Sequence, residues 1–441
     1  MQYLPNILFL LALATGIGFF SRNVRRLVRN IRMGKPVAPD GPKSERWKQM
    51  ARIALGQSKM VVRPLAGIMH IIVYLGFIII NIEVLEIIID GILGTHRAFA
   101  FLGPAYDFLI GAFEILAVLV IVAVVVFWLR RNIAKIGRFW KPEMKGWPKQ
   151  DADWILYIEL ILMSLFLTMN AADFRLQELG ADHYVQAGAF PISSYIGGWM
   201  STLSEATLVF VERTAWWLHI LGILFFLNYL YYSKHLHILL AFPNTYLGKL
   251  RPVGQLENLE SVKREVALMM DPGADPFAAP AEDAPPPEKF GASDVMDLSQ
   301  VQLLNAYTCT ECGRCTSECP ANQTGKKLSP RKIMMDTRDR LEEVGGILDL
   351  NKGKWEPDGK QLLDDYISRE ELWACTSCNA CVQACPVSID PLSIIMDMRR
   401  YLVMEQSAAP SELNVMMTNI ENNGAPWPFN QMDRLNWKQE V

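Results

Sequence analysis

Five apolar runs, near 4–21, 66–90, 106–128, 154–173 and 214–236, take up most of the first 240 residues. A bilayer's hydrocarbon core is about 30 Å thick, and roughly 20 helical residues cross it. A chain in lipid must also satisfy its backbone amides within each segment, so these runs have to be helices. The expected fold is therefore an all-α membrane protein: a five-helix transmembrane bundle over residues 1–240. Aromatic residues and the 20 methionines are plentiful, and the net charge of −3 argues against a nucleic-acid partner.

Charge orients the bundle. The segment after the first run carries Arg22, Arg25, Arg26, Arg29, Arg32 and Lys35 with no acid among them. The segment after the third carries seven basic residues between Arg130 and Lys149, whereas the loops at 91–105 and 174–212 carry Arg97, Arg175 and, at the last helix's edge, Arg213. The positive-inside rule places 22–65 and 129–153 in the cytoplasm, and an odd number of spans puts everything after 236 there too. The first run has its positive charges behind it and lacks an A-x-A site, so it reads as a retained helix with its N-terminus outside rather than a cleaved leader. The expected home is the bacterial cytoplasmic (inner) membrane, crossed several times. The moderately apolar stretch 192–211 reads as an outer interfacial helix.

Histidines argue that the bundle is more than an anchor. His219 and His237 are 18 residues apart, five helical turns, so on one continuous helix they share a face ~27 Å apart. His70 lies a few residues into the second span, level with His237. Two imidazoles at one depth on neighbouring helices make a bis-histidine haem b site. His235 is the competing ligand. At the outer level His219 faces Ile80 and Asn81 on the second span; Met169 or His183 could partner it in a second haem, or His219 could line a quinone pocket or be structural. Glu83, Glu86, Glu114 and Glu159 fall inside apolar runs, where carboxyls are costly and often handle protons. Glu86 and Glu114, toward the outer side, are the candidates for the protons of quinone chemistry, with helix-end carboxyls reaching interfacial water as the other reading.

After the last span come a connector and linker over 241–297, in which 271–294 is rich in Pro, Ala and acid and is expected to be disordered or extended, tethering the next module loosely enough to dock beside the membrane or meet a partner. The module spans 298–405, followed by an aromatic and polar tail over 406–441. It contains all eight cysteines, in "CTECGRCTSECP" from Cys309 and "CTSCNACVQACP" from Cys375. Both have the spacing C-x2-C-x2-C-x3-C-P, flanked by helical segments. Three thiolates within seven residues wrap three corners of an iron–sulfur cube, and the fourth, before Pro, ligates the other cube. One [4Fe–4S] cluster is thus expected on Cys309, Cys312, Cys315 and Cys385, the other on Cys375, Cys378, Cys381 and Cys319. Structural zinc wants C-x2-C pairs without the third close cysteine, and disulfides are disfavoured in the cytoplasm. Arg314 and Lys332 near the first motif could raise the cluster potential or receive an acidic partner, but read rather as solvated surface charges.

The membrane half resembles the cytochrome b gamma subunit of membrane-bound nitrate reductase and the related subunit of heterodisulfide reductase. The matching stretches are "LHILGILFFLNYLYYSKHLHILLAFP" and "MHIIVYLGF". The module, down to "CGRCTSECPANQTGKKLSPRKI", resembles the two-cluster ferredoxin-like domain of heterodisulfide reductases. Together these regions cover about four fifths of the chain. The resemblance implies His70 and His237 as axial ligands of an inner haem. It also implies an outer haem on the His219 position and a histidine where this chain has Ile80. It implies electron transfer between quinone or menaquinone, haem b, two clusters and a catalytic domain with CCG motifs. No adjacent cysteine pair occurs here, so the resemblance implies that this domain is a separate cytoplasmic partner subunit. The expected function is therefore an electron-transfer subunit of a membrane oxidoreductase; the alternative is a membrane-tethered ferredoxin or redox sensor with a haem-free anchor.

Overall fold

The computed structural model of this chain describes residues 3–273 and 289–439. Most of the linker expected over 271–294 lies outside these residues. Among the described residues the chain is helical and forms no strand beyond two isolated bridges.

Five helices are long and apolar enough to cross a membrane. They are α1 (Leu4–Arg32), α2 (Pro64–Leu93), α3 (Pro104–Trp128), α4 (Trp147–Leu179) and α5 (Glu205–Tyr229). The first four have a proline in their opening turn, where a missing N–H costs nothing. α5 instead opens on Ser204, whose hydroxyl accepts from the Thr207 amide at 3.3 Å. The sequence places each of the first four runs inside its helix but falls short of at least one end. α2 and α3 close tightly because position 76 is glycine: a Cβ there would stand 2.6 Å from Val120. The stretch 192–211 divides into a short helix, Ser193–Trp199, and the first turns of α5.

The last run corrects the expectation of one continuous helix over 214–236. α5 ends at Tyr229, two single turns follow, and α6 (His237–Leu247) starts at the histidine itself. The cause is a buried carboxylate on another helix. Asp151 of α4 accepts from the Tyr229 hydroxyl at 2.6 Å and from the Lys234 amide at 3.0 Å. Ser233 is extended and takes the His235 amide at 3.1 Å. Side-chain oxygens have replaced the helical carbonyls as acceptors. The common helix face argued for His219 and His237 therefore does not exist.

The cysteine module is docked against one end of the bundle. Leu27 of α1 and Phe226, Leu230 and Leu236 near the end of α5 share one apolar core with Leu303, Leu328 and Ile333 of the module. Arg331, 0% exposed, donates to the Arg138 carbonyl and to Glu143 Oε1, both at 2.7 Å. Asn30 of α1 donates to the Tyr307 hydroxyl at 2.9 Å. Just beyond α1, Lys35 exchanges backbone hydrogen bonds with Leu298 and Gln300 at 2.8 and 2.9 Å. The segments 22–65 and 129–153 thus share the module's end of the bundle. Arg314 is also corrected: it is buried and donates to the Lys59 carbonyl at 3.1 Å. Lys332 is tied to Asp336 and Glu371 at 2.6 and 3.0 Å.

Candidate redox centres

The two cysteine motifs are built the same way. A capping box starts each preceding helix: Ser299 with Gln302 opens α7 (Gln300–Thr308), and Ser368 with Glu371 opens Arg369–Trp373. Each helix stops where its cysteines begin. The loops then place left-handed residues at matching positions, Glu311 and Gly313 in the first, Ser377 and Asn379 in the second. Such alternation turns backbone N–H groups inward into an anion-binding nest. The Ser377 amide accordingly points at Cys375 Sγ at 3.4 Å, and the Ile389 amide at Cys385 Sγ at 3.3 Å. One helical turn, α8 (Arg314–Glu318) or α10 (Ala380–Ala384), carries the chain to the Cys-Pro pair. The long helices α9 (Pro330–Leu350) and α11 (Pro391–Met404) follow.

α8 packs on α10, which exchanges the fourth cysteines between the loops. The charge of Cys385 bears on Cys309 and Cys315, and that of Cys319 on Cys375 and Cys381. Burial pushes the Cys309 thiol up to about 12 and the Cys385 thiol to about 11. The thiolates that a cluster needs are therefore stable only with a metal's charge beside them. All eight cysteines are unpaired. The donor set and the inward amides fit iron–sulfur clusters. Cys378 is the one exposed cysteine, at the surface side of the second loop.

Between this module and the bundle lies a cavity of about 410 Å³. His70 and His237 line it with ring centres 6.4 Å apart. Two imidazoles on opposite sides of one metal, each nitrogen about 2.0–2.1 Å away, hold their ring centres at roughly that separation. Lys234's carbonyl accepts from His237 Nδ1 at 3.1 Å, which leaves Nε2 as the ligating atom. His70 Nδ1 is buried without a partner. The remaining wall is mainly apolar, with Val73, Phe77 and Phe127, carries a basic rim and the Glu159 and Glu311 carboxyls, and reaches Cys312. This pocket fits a haem. His235 lines it as well, its ring 5.4 Å from His237 and 5.4 Å from Phe226. Glu159 is on the same wall.

The opposite end holds a second cavity, about 690 Å³, which Met169, His183, Glu83 and Glu86 line and His219 does not. His219 instead packs on Phe166 and its Nδ1 donates to the Leu162 carbonyl at 3.0 Å. Glu114 accepts from the Ile192 and Ser193 amides at 2.8 and 3.0 Å, holding the start of the short helix Ser193–Trp199. Glu86 accepts from the Phe99 amide and the Tyr106 hydroxyl, both at 2.8 Å. Glu83, 2% exposed, has no hydrogen-bond partner on either oxygen. Sequence reasoning missed the network beside it. Arg97 is buried and reaches Asp173 and Asn170 at 2.9 Å, and His96 meets Asp173 at 3.1 Å. Arg97's isolation as the lone basic residue of the loop 91–105 was the available signal.

Residues 308–389 match the family model described as 4Fe-4S dicluster domain. The chain is 29% identical to a probable iron-sulfur-binding oxidoreductase, FadF, of Bacillus subtilis (strain 168), over 99% of this chain and 61% of that protein. It is 26% identical to an EtfAB:quinone oxidoreductase of Syntrophomonas wolfei, over 88% of this chain and 53% of the relative. It is 28% identical to one subunit of the dihydromethanophenazine:CoB--CoM heterodisulfide reductase of Methanosarcina mazei, over 34% of this chain and 37% of that relative. The chain thus spans between half and two thirds of the two relatives that match nearly all of it. No solved structure matches it. The paired cysteine motifs form a 4Fe-4S dicluster domain, and the two relatives that match along the chain's length are named as oxidoreductases, one of them as a probable iron-sulfur-binding one.

Proposed function

We propose that this chain passes electrons between the membrane quinone pool and a cytoplasmic redox partner, with one haem b and two [4Fe–4S] clusters as its carriers. The observation that carries the reading is the His70–His237 pair, 6.4 Å apart in a cavity whose far wall includes Cys312. The haem would supply one-electron chemistry at the bundle's inner end. His70 and His237 would hold it, with Lys234's carbonyl fixing the tautomer of His237, and the apolar wall would keep water out. The first cluster is assigned to Cys309, Cys312, Cys315 and Cys385, the second to Cys375, Cys378, Cys381 and Cys319. The protein's levers on their potentials are burial and the amides aimed at sulfur.

The basic segments at the module's end make that end cytoplasmic. Exposed Cys378 then marks where a partner docks. A partner with CCG motifs, as the likeness to heterodisulfide reductase implies, suits that surface. The relative named for EtfAB and quinone supports the quinone assignment. Quinone protons would be handled at the outer cavity, where Glu86 lies beside Glu83, whose oxygens accept no hydrogen bond and stand 3.9 Å from Arg97.

The test is a pyridine haemochrome assay with an iron count on protein purified from membranes. One b-type haem and about eight cluster irons are expected. Absence of the b-type band defeats the reading. The crossed ligand sets give a second test. Cys385→Ser should damage the cluster of the first motif, 70 residues upstream, and leave the signal of the second largely intact. Cys319→Ser should do the reverse. Electron paramagnetic resonance of the reduced proteins reads out which cluster is lost.

A further inference from the structure

The rim of the haem cavity carries more positive charge than the protein uses. Lys234 pairs with Glu311. Arg131 donates to the Lys149 carbonyl at 3.1 Å and lies 3.2 Å from Asp153. Arg314 is held by the Lys59 carbonyl. Arg138 and Arg130 are different. Among the described residues neither guanidinium has a hydrogen bond or an ion pair, and Arg138 Nε is buried without a partner. Both arginines are only half-buried, but a buried Nε without an acceptor is left unsatisfied unless a ligand supplies one. Glu159, the cavity's other wall carboxyl, pairs with neither.

Arg138 also occupies a defined place. Its carbonyl accepts from Arg331, and its Cβ lies 3.4 Å from where a side chain on Gly313 would begin. It therefore stands where the cavity meets the loop of Cys312. Its ring neighbour Phe139 lies 4.8 Å from the guanidinium carbon and 5.2 Å from that of Arg131, which fixes the side chain without neutralising it. Burial, with Arg63 nearby, pulls the Arg138 guanidinium down to about 10, as expected of a cation short of a counter-ion.

We infer that Arg138, with Arg130 beside it, binds the two propionate carboxylates of the haem and so turns the porphyrin's acidic edge toward the first cysteine loop. This rests on the haem reading above. The planar guanidinium suits a carboxylate, which it can grip with two parallel hydrogen bonds. Neutralising a propionate next to the iron also favours the ferrous form, so Arg138 holds the haem potential up. Arg138 acts as a positioning residue.

Arg138→Gln in the full-length protein, kept in its native membranes, tests it. The carbonyl that accepts from Arg331 is backbone and survives the change. The b-type band and the iron count should stay. The haem midpoint potential should move negative of wild type, and haem should pass to apomyoglobin about tenfold faster, as for loss of one charge-assisted hydrogen bond. Arg138→Lys, which keeps the charge but loses the fork, should fall between the two. A haem midpoint and loss rate both equal to wild type overturn the assignment. If Arg138→Gln does not accumulate, Arg138→Lys decides alone: loss faster than wild type supports the assignment and loss at the wild-type rate overturns it. Wild-type protein without a b-type band would instead sink the haem reading itself.

Discussion

His70→Ala is expected to remove the b-type absorbance completely while leaving about eight cluster irons in place. The reason lies in how little else His70 does. Its Nδ1 has no hydrogen-bond partner and its ring lines the cavity, so alanine removes a ligand without breaking a bond that supports the fold. Reduction of the clusters by added quinol should fall to background, because the link inside the bundle is gone. His237→Ala should also lose haem, with a further cost of about 0.5–1.5 kcal/mol for the hydrogen bond to Lys234. His235→Ala should keep the band, since that ring is packed against Phe226. Retention of haem in the His70 variant together with its loss in the His235 variant would show that the axial pair is misassigned.

Arg331→Met is expected to separate the two halves without emptying either. Arg331 is buried and its guanidinium spans the join, from α9 to Arg138 and Glu143. Removing one partner of a buried ion pair typically costs about 3–5 kcal/mol, because the other charge is left stranded. Glu143 is the stranded charge here. Burial pushes its carboxyl up, but hydrogen bonds from Ser329 and Arg331 outweigh this and hold it below its ordinary value. A lowered carboxylate contributes stability that is complete above about pH 4.3 and fades as the pH falls through its native value. Docking in the wild type should therefore loosen in acid. In the variant, hydrogen exchange should rise across 138–143 and 310–316 at neutral pH, while haem and iron counts hold. Adding Glu143→Leu should recover much of the loss, since an apolar pair replaces a broken ionic one. Unchanged exchange in the single variant would mean that the apolar core around Leu27 and Leu230 carries the join unaided.

What the sequence disclosed and what it withheld divide along one physical line. A run of twenty apolar residues has one solution in lipid, so the five helices were legible, and the doubled cysteine spacing has one chemistry. That His70 and His237 lie at one depth was legible, and their ring centres are 6.4 Å apart. The break between Tyr229 and His237 was not, because Asp151, some 80 residues away, causes it. That break also brings His235 to the same cavity as His237, against the phase of a straight helix. The linker's composition speaks only of its own inability to fold, and is silent about docking by Arg331, Asn30 and Leu27. Arg314, taken for a solvated charge, is buried for the same reason: its acceptor is a carbonyl from the segment before α2.

The backbone exchange between Lys35 and the Leu298–Gln300 stretch has a consequence for biogenesis. A ribosome finishes the first of these segments long before it begins the second, more than 260 residues on. Through that interval the module-facing tip of the leading helix lacks this partner. Closure of this contact is thus a late event, a checkpoint that only a chain with both halves synthesised and inserted can pass. Nascent molecules stalled short of it should be the ones that quality-control proteases find first.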